Sequence, residues 1–161
     1  MEKNDITVSV GDGILNVRVG AIIIKDNKIL MVGNEHADYL YSVGGRVKMG
    51  ETAEKAVVRE VYEETGIKME VERLGFIHEN FFVGDTGKAK DKQVHEISFF
   101  FYMKVPEDFE PVCNSFSEGD SKEQLVWVTA DTDKKYFPEF FRTEVFKHSG
   151  SVRHFVTRDV E

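Results

Sequence analysis

Cysteine occurs once in the 161 residues, at Cys113. No intrachain disulfide can form, and no Cys/His cluster supports a zinc site. The single thiol fits a reducing compartment and reads as an incidental loop residue. Proline occurs three times, so no proline-rich linker divides the chain. No repeat or low-complexity tract is present. No segment approaches the roughly 20 consecutive apolar residues that a membrane helix needs. The opening residues Met1 to Asp5 are polar and lead into no apolar run, so no signal peptide is expected. Cytoplasm is the default location. Positive charge is also short: 21 Lys and Arg stand against 29 Asp and Glu, a net charge of −8. Such acidity argues against general binding to nucleic acid or anionic membranes. It leaves a small anionic substrate open, because a bound divalent cation reverses the local field.

Hydrophobic residues make up 41% and charged residues 31%, a balance that excludes disorder and indicates a globular chain. The length suits one domain over residues 1–161, with a core that needs no staple. The first segment, through about residue 15, is weakly patterned and is expected to be loosely held. Val17 to Ile24 is rich in β-branched residues and reads as a buried strand. A turn at Asp26-Asn27 and a strand over Lys28 to Val32 complete a hairpin. A short strand from Tyr39 is expected to end at Gly44-Gly45. Glu51 to Thr65 is the clearest helix, closed by Gly66. Met69 to Val83 reads as a long strand bent at Gly75, and Gly84 to Lys92 as a polar loop. His95 to Val105 is a strand whose run Phe99 to Tyr102 implies burial on both faces. A loop over Asn114 to Lys122, a strand over Leu125 to Val128, a second helix over Pro138 to His148 and a strand over Val152 to Thr157 follow. The expected class is α+β, a mixed β-sheet flanked by helices.

The helix departs from ordinary amphipathic patterning. At about 100° per residue, Ala53, Ala56 and Val57 share one face, and Glu60, Glu63 and Glu64 continue it. Glu60 and Glu64 repel one another at i,i+4, and both oppose the helix dipole. A solvated helix end would explain three glutamates by themselves. A divalent cation would offset both penalties, and an all-oxygen donor set suits Mg²⁺ or Mn²⁺. Upstream, Gly44-Gly45 allows close approach of the backbone to a ligand.

Taken together these residues match a known pattern: Gly45, five residues, Glu51, seven residues, then Arg59-Glu60-Val61-Tyr62-Glu63-Glu64-Thr65-Gly66-Ile67. The segment resembles the signature of the Nudix hydrolase family at every defined position. Seven fixed positions coincide by chance roughly once in 10⁸ placements. The signature covers only Gly45 to Ile67, but the order of strands and helices around it is similar to the family's α/β/α sandwich. Many members carry proline before the glycine pair, where this chain has Val43, a departure that bears on loop shape and not on the acidic residues.

The resemblance implies a Mg²⁺-dependent hydrolase, with Mn²⁺ as an alternative ion, acting on a small-molecule nucleotide. Glu60, Glu63 and Glu64 would ligate the metal with the backbone carbonyl of Gly44. Glu51 and Gly45 would support the site, and Arg59 would orient a catalytic glutamate, with Glu63 at i+4 from it. Glu96, at the mouth of an apolar strand, is a candidate base or ligand, with an exposed strand-end role as its alternative. Glu63 and Glu96 both remain open as the base. His95 reads as facing water. Arg18 would reach a substrate phosphate or serve as an edge-strand charge.

The implied reaction is attack of water on a nucleoside diphosphate linked to another moiety. A nucleoside triphosphate pyrophosphohydrolase and a non-catalytic nucleotide sensor are the alternatives. Phe81 to Gly84 lacks the proline of ADP-ribose enzymes and the tyrosine of dinucleoside polyphosphate enzymes. Tyr41 and Phe82, with Tyr39, Phe76 and Phe81 behind them, are the aromatic residues available to stack a base. Family members often form homodimers, but no residue here specifies an interface.

Overall fold

The computed structural model describes residues 4–35, 37–110, 123–147 and 149–159. Cys113 and the loop expected over Asn114 to Lys122 lie outside them. The elements run β1 (Thr7–Val10), β2 (Gly13–Ile22), β3 (Ile24–Lys25), β4 (Lys28–Asn34), β5 (Leu40–Arg46), α1 (Ala53–Thr65), β6 (Glu70–Val83), β7 (Gln93–Lys104), β8 (Glu123–Val128), β9 (Tyr136–Phe137), α2 (Phe141–Glu144) and β10 (Arg153–Arg158).

The strands form a mixed sheet in the order β10-β6-β7-β2-β5-β4-β3, with β1 added to β2, β8 to β4 and β9 to β5. β10 runs parallel to β6, and β7 parallel to β2. The expected hairpin is present: Asp26 and Asn27 have φ of 53° and 60°, the doubly positive turn that matches strand twist. The first segment is also a strand, paired to β2 from Thr7 to Val10, but its side chains are largely exposed.

Two apolar clusters sit on opposite faces. On one, Ala56, Val57 and Val61 of α1 pack against Val19, Ala21 and Val43. On the other, Ile22, Phe76, Phe100, Tyr136 and Phe141 pack together. The aromatic run of β7 serves both, with Phe99 and Phe101 on the α1 side and Phe100 and Tyr102 on the other.

Three expectations need correction. β5 does not stop at the glycine pair but passes through it to Arg46, because Gly44 and Gly45 pair with Gly20 and Val19. α1 begins at Ala53, since Thr52 caps it by accepting the Lys55 N–H at 3.1 Å. The second helix is four residues long rather than eleven. Its continuation is blocked by side chains that take the carbonyls a helix would use: Arg153 donates to the Glu144 carbonyl at 3.2 Å and Tyr102 to that of Val145 at 2.8 Å. The sandwich is therefore thin on that side. The bend expected at Gly75 appears as a break in register between Leu74 and Phe76, where a Cβ would lie 2.5 Å from the Tyr102 ring.

Gly66 closes α1 with φ 76° and donates its N–H to the Tyr62 carbonyl. Gly66→Ala is expected to lower unfolding stability by about 1 kcal/mol, because a Cβ is disfavoured in this conformation. Urea denaturation checks the value; an unchanged midpoint contradicts the cap's role.

Candidate active site

The last turns of α1 lie over the glycine pair of β5. A Cβ on Gly45 would fall 2.4 Å from the Glu60 carboxyl carbon, and one on Gly44 would fall 2.1 Å from the Val19 carbonyl oxygen. Neither position can carry a side chain without moving its neighbours. The bare backbone is what lets Glu60 settle against β5, and the Gly44 N–H hydrogen-bonds the Glu64 carboxylate.

Arg59 ties this end of the helix to the preceding loop. Its Nε and Nη2 donate to the two oxygens of Glu51 at 2.8 and 3.0 Å, a two-pronged pairing. Its Nη1 donates to Glu60 at 2.8 Å and lies 3.4 Å from Glu63, and Nη2 also reaches the Arg46 carbonyl at 3.0 Å. Glu51 additionally accepts the Lys48 N–H at 3.0 Å. The strongest partners of Arg59 are thus Glu51 and Glu60, while the i+4 residue Glu63 is a longer contact. Arg59 and the loop hold Glu51's carboxyl below the usual range.

The remaining acids are under strain of charge. Burial pushes the Glu60 carboxyl up, against the pull of Arg59, and Glu63 adds to the push. Burial pushes Glu64 well above the usual carboxylate range, helped by the charges of Glu123 and Glu60. Tyr41 is also pushed up, by burial and by Glu123, to which it is hydrogen-bonded. Glu123, at the start of β8, thereby joins the cluster. Nothing in its sequence context marks it, since it sits at the end of a strand far along the chain.

Glu64 is 8% exposed, and its Oε2 is buried with no hydrogen-bond partner among the described residues. An unsatisfied buried carboxylate oxygen is costly unless a cation meets it. The donor set, carboxylate oxygens with a backbone carbonyl nearby, suits a hard divalent ion. Among the described residues no three His, Cys, Asp or Glu side chains are gathered into a ready-made metal cage. Arg59 engages Glu60 here, and the Glu63 side chain is 50% exposed. The residues fit a divalent cation in chemistry and in unmet charge, without being closed around one.

The other residues singled out from sequence divide between faces. Glu96 of β7 pairs across strands with Asn16 of β2, which donates to it at 3.4 Å, and Arg18 Nε lies 3.9 Å from the same oxygen. Arg18 is also close enough to draw down the pKa values of Glu60 and Glu64. Asn16, a buried polar residue of β2, is not singled out by the sequence, which places the start of the buried strand at Val17. Phe82 lies on β6 opposite Val94, next but one to Asn80, which pairs with Glu96. Tyr41 stands beside Glu64 and Glu123, and Tyr39 packs edge-on against Phe137 at 5.3 Å. Phe76 is 1% exposed and belongs to the core. Phe81 and His95 stack at 4.2 Å on adjacent strands. A shallow depression lined by Glu54, Val58, Lys68, Met69 and Lys104 contains none of these acids.

The folded state holds a proton on Glu64 more tightly than the unfolded chain does. The contribution of protonated Glu64 to the stability of the metal-free protein is therefore expected to be fully present below the ordinary carboxylate pKa, and to be lost as pH rises through the raised one. Glu64→Gln should flatten this decline and be the more stable form at pH 8 in chelator. Thermal melts of both forms from pH 5 to pH 8 check it; a wild-type curve that rises with pH, parallel to the variant, contradicts it.

Residues 15–144 match the family model of the NUDIX domain. The chain is 37% identical over 92 residues to an ADP-ribose pyrophosphatase of Methanocaldococcus jannaschii, covering 55% of this chain and 50% of that protein. It is 44% identical over 57 residues to the 8-oxo-dGTP diphosphatase of Escherichia coli, covering 33% of this chain and 44% of that protein. The matches span about half the length of these curated relatives or less. A crystal structure of an ADP-ribose pyrophosphatase from Streptococcus suis shares the fold with a TM-score of 0.56 at 19% identity, over 86% of this chain and 98% of that one. The carboxylate-bearing helix, its glycine pair and most of the sheet fall inside the matched span, and the chain belongs to the NUDIX family.

Proposed function

We propose that this chain is a divalent-metal-dependent hydrolase that cleaves a phosphoanhydride bond in a nucleoside diphosphate linked to another moiety. The observation that carries the reading is the Glu64 carboxylate, buried beside Glu60 and the glycine pair with one oxygen unmet. Mg²⁺, for which Mn²⁺ can substitute, supplies charge neutralisation of the diphosphate and a lowered pKa for the attacking water. Glu60, Glu63 and Glu64 would hold the ion with the Gly44 carbonyl. Arg59 keeps Glu60 in place and joins it to Glu51 and the loop. Glu63, half exposed and 3.4 Å from Arg59, is one candidate to take a proton from water, and Glu96 is the second. Arg18, between Glu96 and the helix acids, offers positive charge to a phosphate.

A second reading, hydrolysis of a nucleoside triphosphate to the monophosphate and pyrophosphate, is supported by the similarity to the 8-oxo-dGTP diphosphatase. It uses the same acids and differs in the base and phosphate subsites. The sensor alternative is disfavoured because the acidic set is complete from Glu51 to Glu64.

A panel of nucleoside diphosphate derivatives and triphosphates, assayed by chromatography for the nucleoside monophosphate formed with Mg²⁺ or Mn²⁺, tests the reading. Turnover of at least one diphosphate compound, abolished by chelation and restored by Mg²⁺, is expected. Glu64→Gln and Glu63→Gln should each lower kcat by at least ~10²-fold with the fold retained, and Glu96→Gln by less. Tight nucleotide binding with no turnover on any substrate would instead identify a binding domain.

A further inference from the structure

The sheet face turned away from α1 changes character along its length. At one end Phe76, Phe100, Phe140 and Phe155 pack as an aromatic block. At the other, where β1 and the end of β5 both flank β2, polar residues take over. Thr7 of β1 is in register with Asn16 of β2, and Arg46 of β5 with Arg18. Asn16 and Arg18 are two residues apart on one strand, so their side chains share a face. The four positions form one patch, with Glu96 of β7 in register with Asn16.

Arg18 and Arg46 stand directly opposite each other in an antiparallel pair. Like charges at such positions repel. Little on the chain compensates for it. Arg18 has Glu96, 3.9 Å away. The Arg46 side chain makes no hydrogen bond or ion pair with any described residue, and its Nε is enclosed without a partner. Thr7 Oγ1 and Asn16 Oδ1 share that condition, so three of the six such atoms among the described residues lie in this one patch. Each unmet buried polar atom is costly by itself. Three of them around an unmatched guanidinium, on a chain of net charge −8, favour an anion supplied from outside the chain.

The patch is tied to the acidic site. Arg46 follows the glycine pair, and its carbonyl accepts from Arg59 Nη2 at 3.0 Å, so the arginine that holds Glu60 also fixes the strand here. β5 pairs with β4 only at Tyr41 and Ser42, and from Val43 to Arg46 it pairs with β2 alone. Its other edge is therefore unpaired beside Arg46 among the described strands. Thr7, Arg18 and Arg46 are each partly exposed, so the patch is open to solvent. Arg18 draws down Glu60 and Glu64, which puts a charge held here within electrostatic reach of both acids.

We infer that Arg46 is a phosphate-binding residue: its guanidinium, with Arg18 opposite and the Thr7 hydroxyl beside it, holds a phosphoryl group of the substrate. The inference rests on the phosphoanhydride reading of the site for its ligand class. A planar guanidinium meets two phosphate oxygens at once, and a doubly charged group between two arginines replaces their repulsion with attraction.

Inorganic pyrophosphate is the probe, titrated calorimetrically into the full chain at low ionic strength, in chelator so that no divalent ion contributes. Wild type should bind it saturably. Arg46→Gln and Arg18→Gln should each weaken binding by at least ~10-fold, the scale of a charge-assisted hydrogen bond. Arg46→Lys, which keeps the charge and loses the planar fork, should fall between. Pyrophosphate should also raise the Tm of wild type more than that of Arg46→Gln. No saturable binding by wild type, affinity unchanged in Arg46→Gln, or equal Tm shifts in the two proteins overturns the inference. The test needs neither metal nor turnover. Pyrophosphate binding without hydrolysis of any substrate would defeat the hydrolase reading alone, and turnover with KM unchanged in Arg46→Gln would defeat this one alone.

Discussion

Two carboxylates one helical turn apart, Glu60 and Glu64, rest against a stretch of β5 that has no side chains. Like charges at that spacing repel, and burial raises the energy of both. Arg59 supplies the positive charge on one side, where it binds Glu60 and the loop acid Glu51 together. On the other side the Gly44 N–H meets Glu64, and nothing described meets its second oxygen. The helix sits where it does because Gly44 and Gly45 leave room, and the apolar contacts of Ala56, Val57 and Val61 hold it there. The proposed chemistry depends on a divalent cation relieving this arrangement.

The sheet extends this local device into a site with two sides. The β2–β5 pairing places the glycine pair against Val19 and Gly20. The β2–β7 pairing then carries Arg18 and Asn16 alongside Ser98 and Glu96. Arg18 links the halves: it lies near Glu96 and also lowers the pKa values of both helix acids. Arg18 therefore connects the charge at the helix electrostatically with the polar residues of β2 and β7. The aromatic block around Phe76 and Phe140 anchors the far end of the sheet face turned away from α1 and excludes water from it.

What could be read from the residues alone was local. The Gly66 cap of the helix and the Asp26-Asn27 hairpin are each written within a few turns of chain, and each appears as expected. The second helix was misread because its end is decided by Arg153 and Tyr102, residues distant in sequence that claim its carbonyls. Glu123 was missed because only the folding of β8 onto β4 brings it near Tyr41 and Glu64. The pairing of Asn80 with Glu96 was hidden for a different reason. β6 has two breaks in register, between Val71 and Arg73 and between Leu74 and Phe76, and each shifts which residues share a face. Without those breaks in hand, no pattern pairs Asn80 with Glu96 or Thr157 with Asn80.

The claim beneath all of this is that the end of α1 receives a divalent ion through Glu64 and its neighbours. Electron paramagnetic resonance of free Mn²⁺, titrated with the nucleotide-free protein, measures that directly. The account predicts saturable loss of the free-ion signal with wild type and at least ~10-fold weaker binding with Glu64→Gln. Equal Mn²⁺ affinity in the two proteins, or no binding by wild type, would contradict it.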